Sequence, residues 1–231
     1  MHDHHLTIEP PILYFGTPVV LISTQNEDGS ANIVPMSSAW WLGWRCMLGL
    51  DASSKTTENL IRTGQCVLNL PSAAEVGAVD RLACLTGSTP VPAGKQARGY
   101  RHEAAKFKAA GLTPVPSETV APPRALECPI QLEAVLAEKH GIGEDSPWKG
   151  GLAAFELRIQ RVHVAPGLIL NGHTNRIDPD TWRPLIMSFQ KFYSLADGEL
   201  LASRLAQVPE ESYRSPDIDR ARSGEIAAVA V

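Results

Sequence analysis

The chain has 231 residues, 44% of them hydrophobic and 20% charged, a balance that supports a folded core and argues against a disordered or fibrous protein. Its formal net charge of -4 provides no basic footprint, so nucleic acid and membrane surfaces are poor partners and small molecules are better ones. No stretch approaches the ~18 apolar residues of a spanning helix and no basic-then-apolar leader opens the chain, so a cytoplasmic protein is expected.

In chain order, residues 1–13 read as a flexible arm stiffened by Pro10 and Pro11. Its His2, His4 and His5 lack the fixed geometry that a metal site needs, and no metal is expected. Thr17 to Thr24, rich in β-branched residues, predicts a strand. The turn at Asn26 to Gly29 and a partner strand over Ser30 to Pro35 complete a hairpin. Arg45 to Leu50 and Gln65 to Leu70 are two further strands. Between them a helix is expected from Lys55 to Thr63, with Ser53 or Ser54 as N-cap and Gly64 just past its end.

Ala73 to Leu82 and His102 to Ala110 predict two more helices, separated by a loop from Gly87 to Gly99. Five prolines between Gly111 and Pro129 require an extended connection. Cys128 to Lys139 and Leu152 to Val164 alternate apolar and polar residues as half-buried strands do. Leu185 to Leu195 is the last strand expected, followed by a short helical stretch and a loosely held polar tail. The organisation is thus a single domain over 14–208, with a C-terminal tail at 209–231. The fold class is mainly β with short helices, and the strand spacing suits a small closed or half-closed barrel. The four cysteines, Cys46, Cys66, Cys84 and Cys128, form no C-x-x-C pair and are expected as buried free thiols.

The chemistry concentrates between Asn32 and Asn59. Ser53, Ser54, Lys55, Thr56 and Asn59 meet at a helix N-terminus, where unpaired N–H groups and the helix dipole favour an anion such as a phosphate. Taken alone, the serines could simply cap the helix and Lys55 could be solvated. Upstream, Pro35, Met36, Ser37 and Ser38 form a small-residue corner that a flat ring could approach closely. Trp40, Trp41 and Trp44 could stack on such a ring, fill the core or close an interface. Thr86 and Gly87 supply a second hydroxyl-and-glycine turn.

These segments, together with YFGTPVVLIST, CVLNLPS and the later GLTPVPSETVAPPRALECPIQLEA, resemble the flavin reductase-like, FMN-binding split-barrel family from about Tyr14 to Tyr193. The resemblance implies a six-stranded split β-barrel, FMN-binding type, homodimeric, with FMN held noncovalently near the subunit interface. It would place the isoalloxazine against Pro35, Met36, Ser37 and Ser38, and the phosphate against Ser54, Thr56 and Asn59. Thr86 and Gly87 match a further cofactor turn, and Lys55 is added on physical grounds. It implies an NAD(P)H-dependent flavin oxidoreductase feeding an oxygenase or other electron acceptor, with an FMN-binding electron carrier as the alternative. His163 and His173 are the histidines near the late strands, each either structural or in reach of a nicotinamide or flavin edge.

Overall fold

The computed structural model describes residues 5–201 and 203–224. Seven strands form one antiparallel sheet: β1 (Val20–Gln25), β2 (Ala31–Met36), β3 (Ala39–Leu42), β4 (Arg45–Asp51), β5 (Gln65–Leu70), β6 (Ile130–Ile142) and β7 (Leu152–Val164). Their order across the sheet is β2-β1-β5-β6-β7-β4-β3. The two edge strands, β2 and β3, are therefore neighbours in sequence, joined only by Ser37 and Ser38. Three Cα steps from Met36 to Ala39 span at most about 11 Å, so the sheet must roll until its edges nearly meet. The architecture is a split barrel whose seam lies at the small-residue corner, in agreement with the expected fold class.

The roll encloses a core led by Phe155, Leu157, Leu48, Leu68 and Ile22. Burial alternates along β4, with Cys46, Leu48 and Leu50 inward and Arg45, Met47 and Gly49 only half-buried, the period of a strand with one core face. Strand β1 behaves differently, since Val20, Leu21 and Ile22 are all buried. Its outer face is covered by a second cluster that joins Leu21 and Ile33 to Val79 and Leu82 of helix α2 (Val76–Leu82) and to Phe107 and Ala110. This explains the uninterrupted apolar run that the sequence shows there.

Helix α1 occupies Lys55–Thr63 between β4 and β5, with Ser54 accepting a hydrogen bond from Thr57 N and Gly64 in the left-handed region at φ 66°. Both boundaries coincide with the sequence reading, because the cap residues at each end are specific. The later helices are α3 (Ala93–Gln96), α4 (Lys106–Ala110) and α5 (Asp217–Ser223).

Several expected elements differ from the observed ones. Thr17 to Thr24 is divided: Thr17–Pro18 pairs with Ile186–Met187 in a separate three-stranded sheet, and only Val20–Gln25 joins the barrel. The tryptophan segment is a strand, β3, paired along β4. The Gly87 to Gly99 loop contains α3, and Arg101–His102 forms a short parallel pair with Leu85–Thr86, so the following helix starts only at Lys106. Ala73 to Leu82 opens with a 3₁₀ turn, closed by a capping box between Ser72 and Glu75, before α2. Leu185 to Leu195 is a hairpin, Ile186–Ser188 against Lys191–Tyr193, whose turn is formed by Phe189 and Gln190 at positive φ. Neither residue type advertises that conformation, so the sequence reads as one strand.

Part of the polar tail is held. Helix α5 packs on β7, with Asp217 and Ala221 buried. Arg45 Nε lies 2.9 Å from Asp217 Oδ2, and Arg45 Nη1 lies 2.6 Å from Glu156 Oε1. Three cysteines are buried thiols as expected, whereas Cys84 is exposed in a turn at φ 58°. His2 and His4 lie outside the described residues. Among the described residues no helix is long and apolar enough to cross a membrane.

Candidate functional site

The start of α1 is built by the end of β4. Asp51 Oδ1 accepts from Ser53 N at 2.8 Å and from Ser53 Oγ at 2.6 Å, and the Asp51 carbonyl accepts from Thr57 Oγ1 at 2.8 Å. Ser54 caps the helix, so its first turn presents N–H groups with no intrahelical acceptor. A cavity of about 550 Å³ opens beside it, lined by Ser53, Lys55, Asn32, Gly87, Ser88 and Glu58 among others.

Gly87 makes this approach possible. A Cβ there would lie 2.8 Å from Asn32 Oδ1 and 3.2 Å from Lys55 Cγ, closer than side chains pack. The neighbouring Thr86 is buried, and its hydroxyl accepts from Ser88 N at 3.2 Å, which fixes the turn around the glycine. Of the two predicted turn residues, Gly87 lines the α1 pocket and Thr86 lies buried behind it.

Behind the pocket wall runs a buried polar network. Asn32 Nδ2 donates to Thr24 Oγ1 at 3.2 Å and to Thr56 Oγ1 at 3.1 Å, while Asn32 Oδ1 accepts from Lys106 Nζ at 3.0 Å. Asn59 Nδ2 donates to Thr24 Oγ1 at 3.1 Å and to Asn26 Oδ1 at 2.8 Å. Thr56 and Asn59, expected as direct phosphate contacts, are buried within this network. They position Asn32 and the helix start from inside.

Lys106 was not found from the sequence, although its i,i+4 relation to the buried Ala110 puts it on the inner face of α4. Only 3% of it is exposed. Burial, reinforced by nearby Lys95, pushes its ammonium down to about 8, against a smaller opposing pull from Glu103. One Asn32 oxygen leaves part of its three-donor capacity for another acceptor.

Lys55, by contrast, is committed. Its Nζ lies 2.9 Å from Glu27 Oε2 and 2.8 Å from Glu58 Oε1, and the hydrogen bond from Lys55 is the main cause holding the Glu27 carboxyl well below the usual range. A ligand phosphate would have to displace these carboxylates to engage it.

The ring end of the expected cradle lies along the same strands. Pro35 and Met36 are the last half-buried residues of β2, and the Ser38 carbonyl accepts from Gly49 N at 2.8 Å. A Cβ at Gly49 would meet Ser38 Cβ at 3.1 Å, so the corner needs a glycine opposite it. Met36 stands four residues beyond Asn32 on β2, roughly 13 Å along the strand, a span suited to a flat ring tethered to a phosphate. Further along β3, Trp41 lies opposite Cys46 and packs on the core, its Nε1 buried without a hydrogen-bond partner among the described residues, and Trp40 is exposed.

The two histidines go elsewhere. His163 Nε2 is 2.7 Å from Glu133 Oε1, a buried carboxylate that also accepts from the Glu118 and Thr119 backbone. His173 lines a different and larger cavity at the Arg45 end of β4. Strand β4 separates that end from Asp51 by roughly 20 Å.

The flavin reductase like domain model matches residues 12–196 of the chain. YdfE of Bacillus subtilis (strain 168) is 39% identical over 188 residues, covering 81% of this chain and 88% of YdfE. Flavoredoxin of Desulfovibrio vulgaris (Miyazaki F) superposes with a TM-score of 0.68 at 23% identity, covering 87% of this chain and 98% of its own. Nitrilotriacetate monooxygenase component B from Bacillus cereus gives 0.66 at 21% identity, covering 87% of this chain and all of its own, 100%. At these identities the solved structures show a shared fold.

Proposed function

The chain belongs to the flavin reductase like domain family, and on that premise we propose that it binds FMN and transfers hydride from NAD(P)H to the flavin. The observation that carries this reading is the arrangement along β2. One end meets the α1 N-terminus, the Gly87 gap and the Asn32–Lys106 pair; the other ends in the Ser37–Ser38 corner. The first suits a phosphate and the second a planar ring.

FMN, when bound, supplies the hydride-accepting centre. The chain's own residues orient it. Ser53, Ser54 and the free N–H groups of the first helical turn would face the phosphate, and Lys106 would answer its charge through or beside Asn32. Thr56 and Asn59 hold Asn32 and α1 in register, and Thr86 holds the Gly87 turn. Pro35, Met36, Ser37 and Ser38 would border the ring, with Trp41 Nε1 as an available donor.

The exposed aromatic side chains of Phe15, Phe189 and Trp40 support a homodimer that would cover them, as apolar surface of this kind is uncommon on a free subunit. An oxygenase is a fitting electron acceptor, given the fold shared with a monooxygenase component. The flavoredoxin likeness favours a second reading, an FMN-binding electron carrier that takes no hydride from nicotinamide. The two readings separate by anaerobic mixing of the flavin-loaded protein with NADH and with NADPH. Bleaching of the flavin absorbance by either donor is expected, and a spectrum unchanged by both would refute the reductase reading. Heat release of the bound chromophore, identified by mass, tests FMN itself.

A further inference from the structure

The second cavity, of about 1200 Å³, carries a different chemistry. One wall is Trp44 with the C-terminal end of β7; the other is formed by residues 169–177 and by residues 210–222. The match to the family model stops at residue 196, so part of this cavity belongs to the chain's own C-terminal segment. That segment is anchored by the Arg45–Asp217 pair and by Gly43, where a Cβ would lie 3.3 Å from Ser215 Cβ.

Gln160 faces this space, and the strand is distorted to put it there. Opposite β6, Arg161 pairs with Glu133 and Ile159 with Ala134, which leaves Gln160 as the extra residue of a β-bulge. Bulges re-aim side chains and recur beside binding sites. Gln160 is 4% exposed, and its Nε2 is buried without a hydrogen-bond partner among the described residues. A buried amide donor of this kind calls for an acceptor.

The rest of the lining defines the acceptor's chemistry. Trp44, Val162, Ile169 and Ile177 give an apolar wall. The charged residues facing the space are Arg161, Arg176, Arg214 and Arg222 against Glu210 and Glu211, with His173 beside them. Arg161 is paired with Glu118, Arg176 with Glu211 and Arg214 with Asp219. Arg222 makes no salt bridge among the described residues.

We propose that this cavity binds a small organic anion with a flat apolar body, its carboxylate accepting from Gln160 Nε2, its body against Trp44, and Arg222, which feels Asp219 but forms no salt bridge among the described residues, the cation at the rim. An aromatic carboxylate is the simplest ligand with all three features. The site is separate from the α1 pocket, so it stands or falls independently of flavin binding.

The test is calorimetric titration of 1-naphthoate into the full chain, with and without saturating FMN. Saturable binding is expected, equal in both conditions, and stronger than that of naphthalene-1-methanol, which lacks the charge. Gln160→Met, which keeps the volume, should weaken naphthoate binding about tenfold while FMN affinity and thermal stability are retained. Arg222→Ala should weaken it in the same direction, and it keeps the idea testable should the first variant fold poorly. Absence of saturable heat at millimolar naphthoate, equal affinity for the uncharged alcohol, unchanged affinity in both variants, or displacement by FMN would each overturn the proposal.

Discussion

Lys106 gives the sharpest quantitative test of the buried network. Its ammonium is pushed down to about 8 from an ordinary 10.5, chiefly by burial. Between those two values the unfolded chain holds a proton that the folded chain has released, so stability must rise with pH across that window. Going from pH 7.5 to 9.5, the linkage amounts to about 2 kcal/mol. Replacement by Met removes the charge at similar volume, but it strands Asn32 Oδ1, which costs about 1–3 kcal/mol. The two effects nearly cancel at neutral pH, and the diagnostic quantity is therefore the slope. Urea unfolding of flavin-free protein should show the wild type gaining about 2 kcal/mol over Lys106→Met between pH 7.5 and 9.5. Parallel pH profiles for the two proteins would refute the account of Lys106 as a strained buried cation.

Gly87→Ala should lower FMN affinity by about tenfold or more, because the new Cβ meets Asn32 Oδ1 at 2.8 Å and pushes the turn off the pocket; equilibrium dialysis measures it. Thr56→Ala with Asn59→Ala should weaken FMN binding and also cost about 2–4 kcal/mol of stability, since each removes a partner from buried amides or hydroxyls. A folded double variant with unchanged FMN affinity would refute the phosphate placement. Burial raises the Glu133 carboxyl, yet the hydrogen bonds from Thr119, the Glu118 N–H and His163 outweigh it and hold the group below its usual 4.5. Its stabilisation is thus present above that value and lost as pH falls below it. Glu133→Gln should cost about 2–3 kcal/mol at pH 7, and chemical denaturation should show this difference shrinking towards pH 3.

What the sequence revealed depended on how local the signal was. Helix α1 was legible at both ends because Ser54 and Gly64 are caps whose chemistry is self-contained. Strand β7 was legible because its first half alternates, with Ala153, Phe155 and Leu157 inward, whereas the bulge that buries Arg158, Ile159 and Gln160 together was not. The hairpin over Ile186–Tyr193 was not, because Phe189 and Gln190 take up positive φ under constraint from the surrounding chain, including Phe189 N donating to the Tyr14 carbonyl. Strand β3 was hidden for a similar reason: three tryptophans in one short stretch read equally as ring stackers, core or interface, whereas Trp40 and Trp41 pair along β4 as an edge strand and Trp44 lies in the turn between them. Residues of the site divided in the same way. The α1 N-terminus was visible as a motif, while Lys106 joins it only through a contact to Asn32 across 74 positions of sequence.

That long-range contact reorders the electrostatics of the pocket. Lys55, the cation nearest in sequence to the phosphate signal, is matched by two carboxylates, Glu27 and Glu58, whose side chains are about half exposed. The pocket lining also carries Asp28 and Glu103, so by itself it repels an anion. The compensating charge lies one layer deeper, on an ammonium whose hydrogen-bond partner among the described residues is Asn32 and which has almost no solvent. A buried cation of this kind is destabilised until an anion arrives, and the gain on meeting one is correspondingly larger than for a solvated lysine. In the proposed FMN site the acidic rim and the deep ammonium would act together: the rim would discourage anions that stay at the surface, and a ligand whose phosphate reached past Gly87 towards Asn32 would collect the favourable interaction. Gly87, which no side chain could replace without touching Asn32, would accordingly be the residue that joins access to affinity in the proposed site.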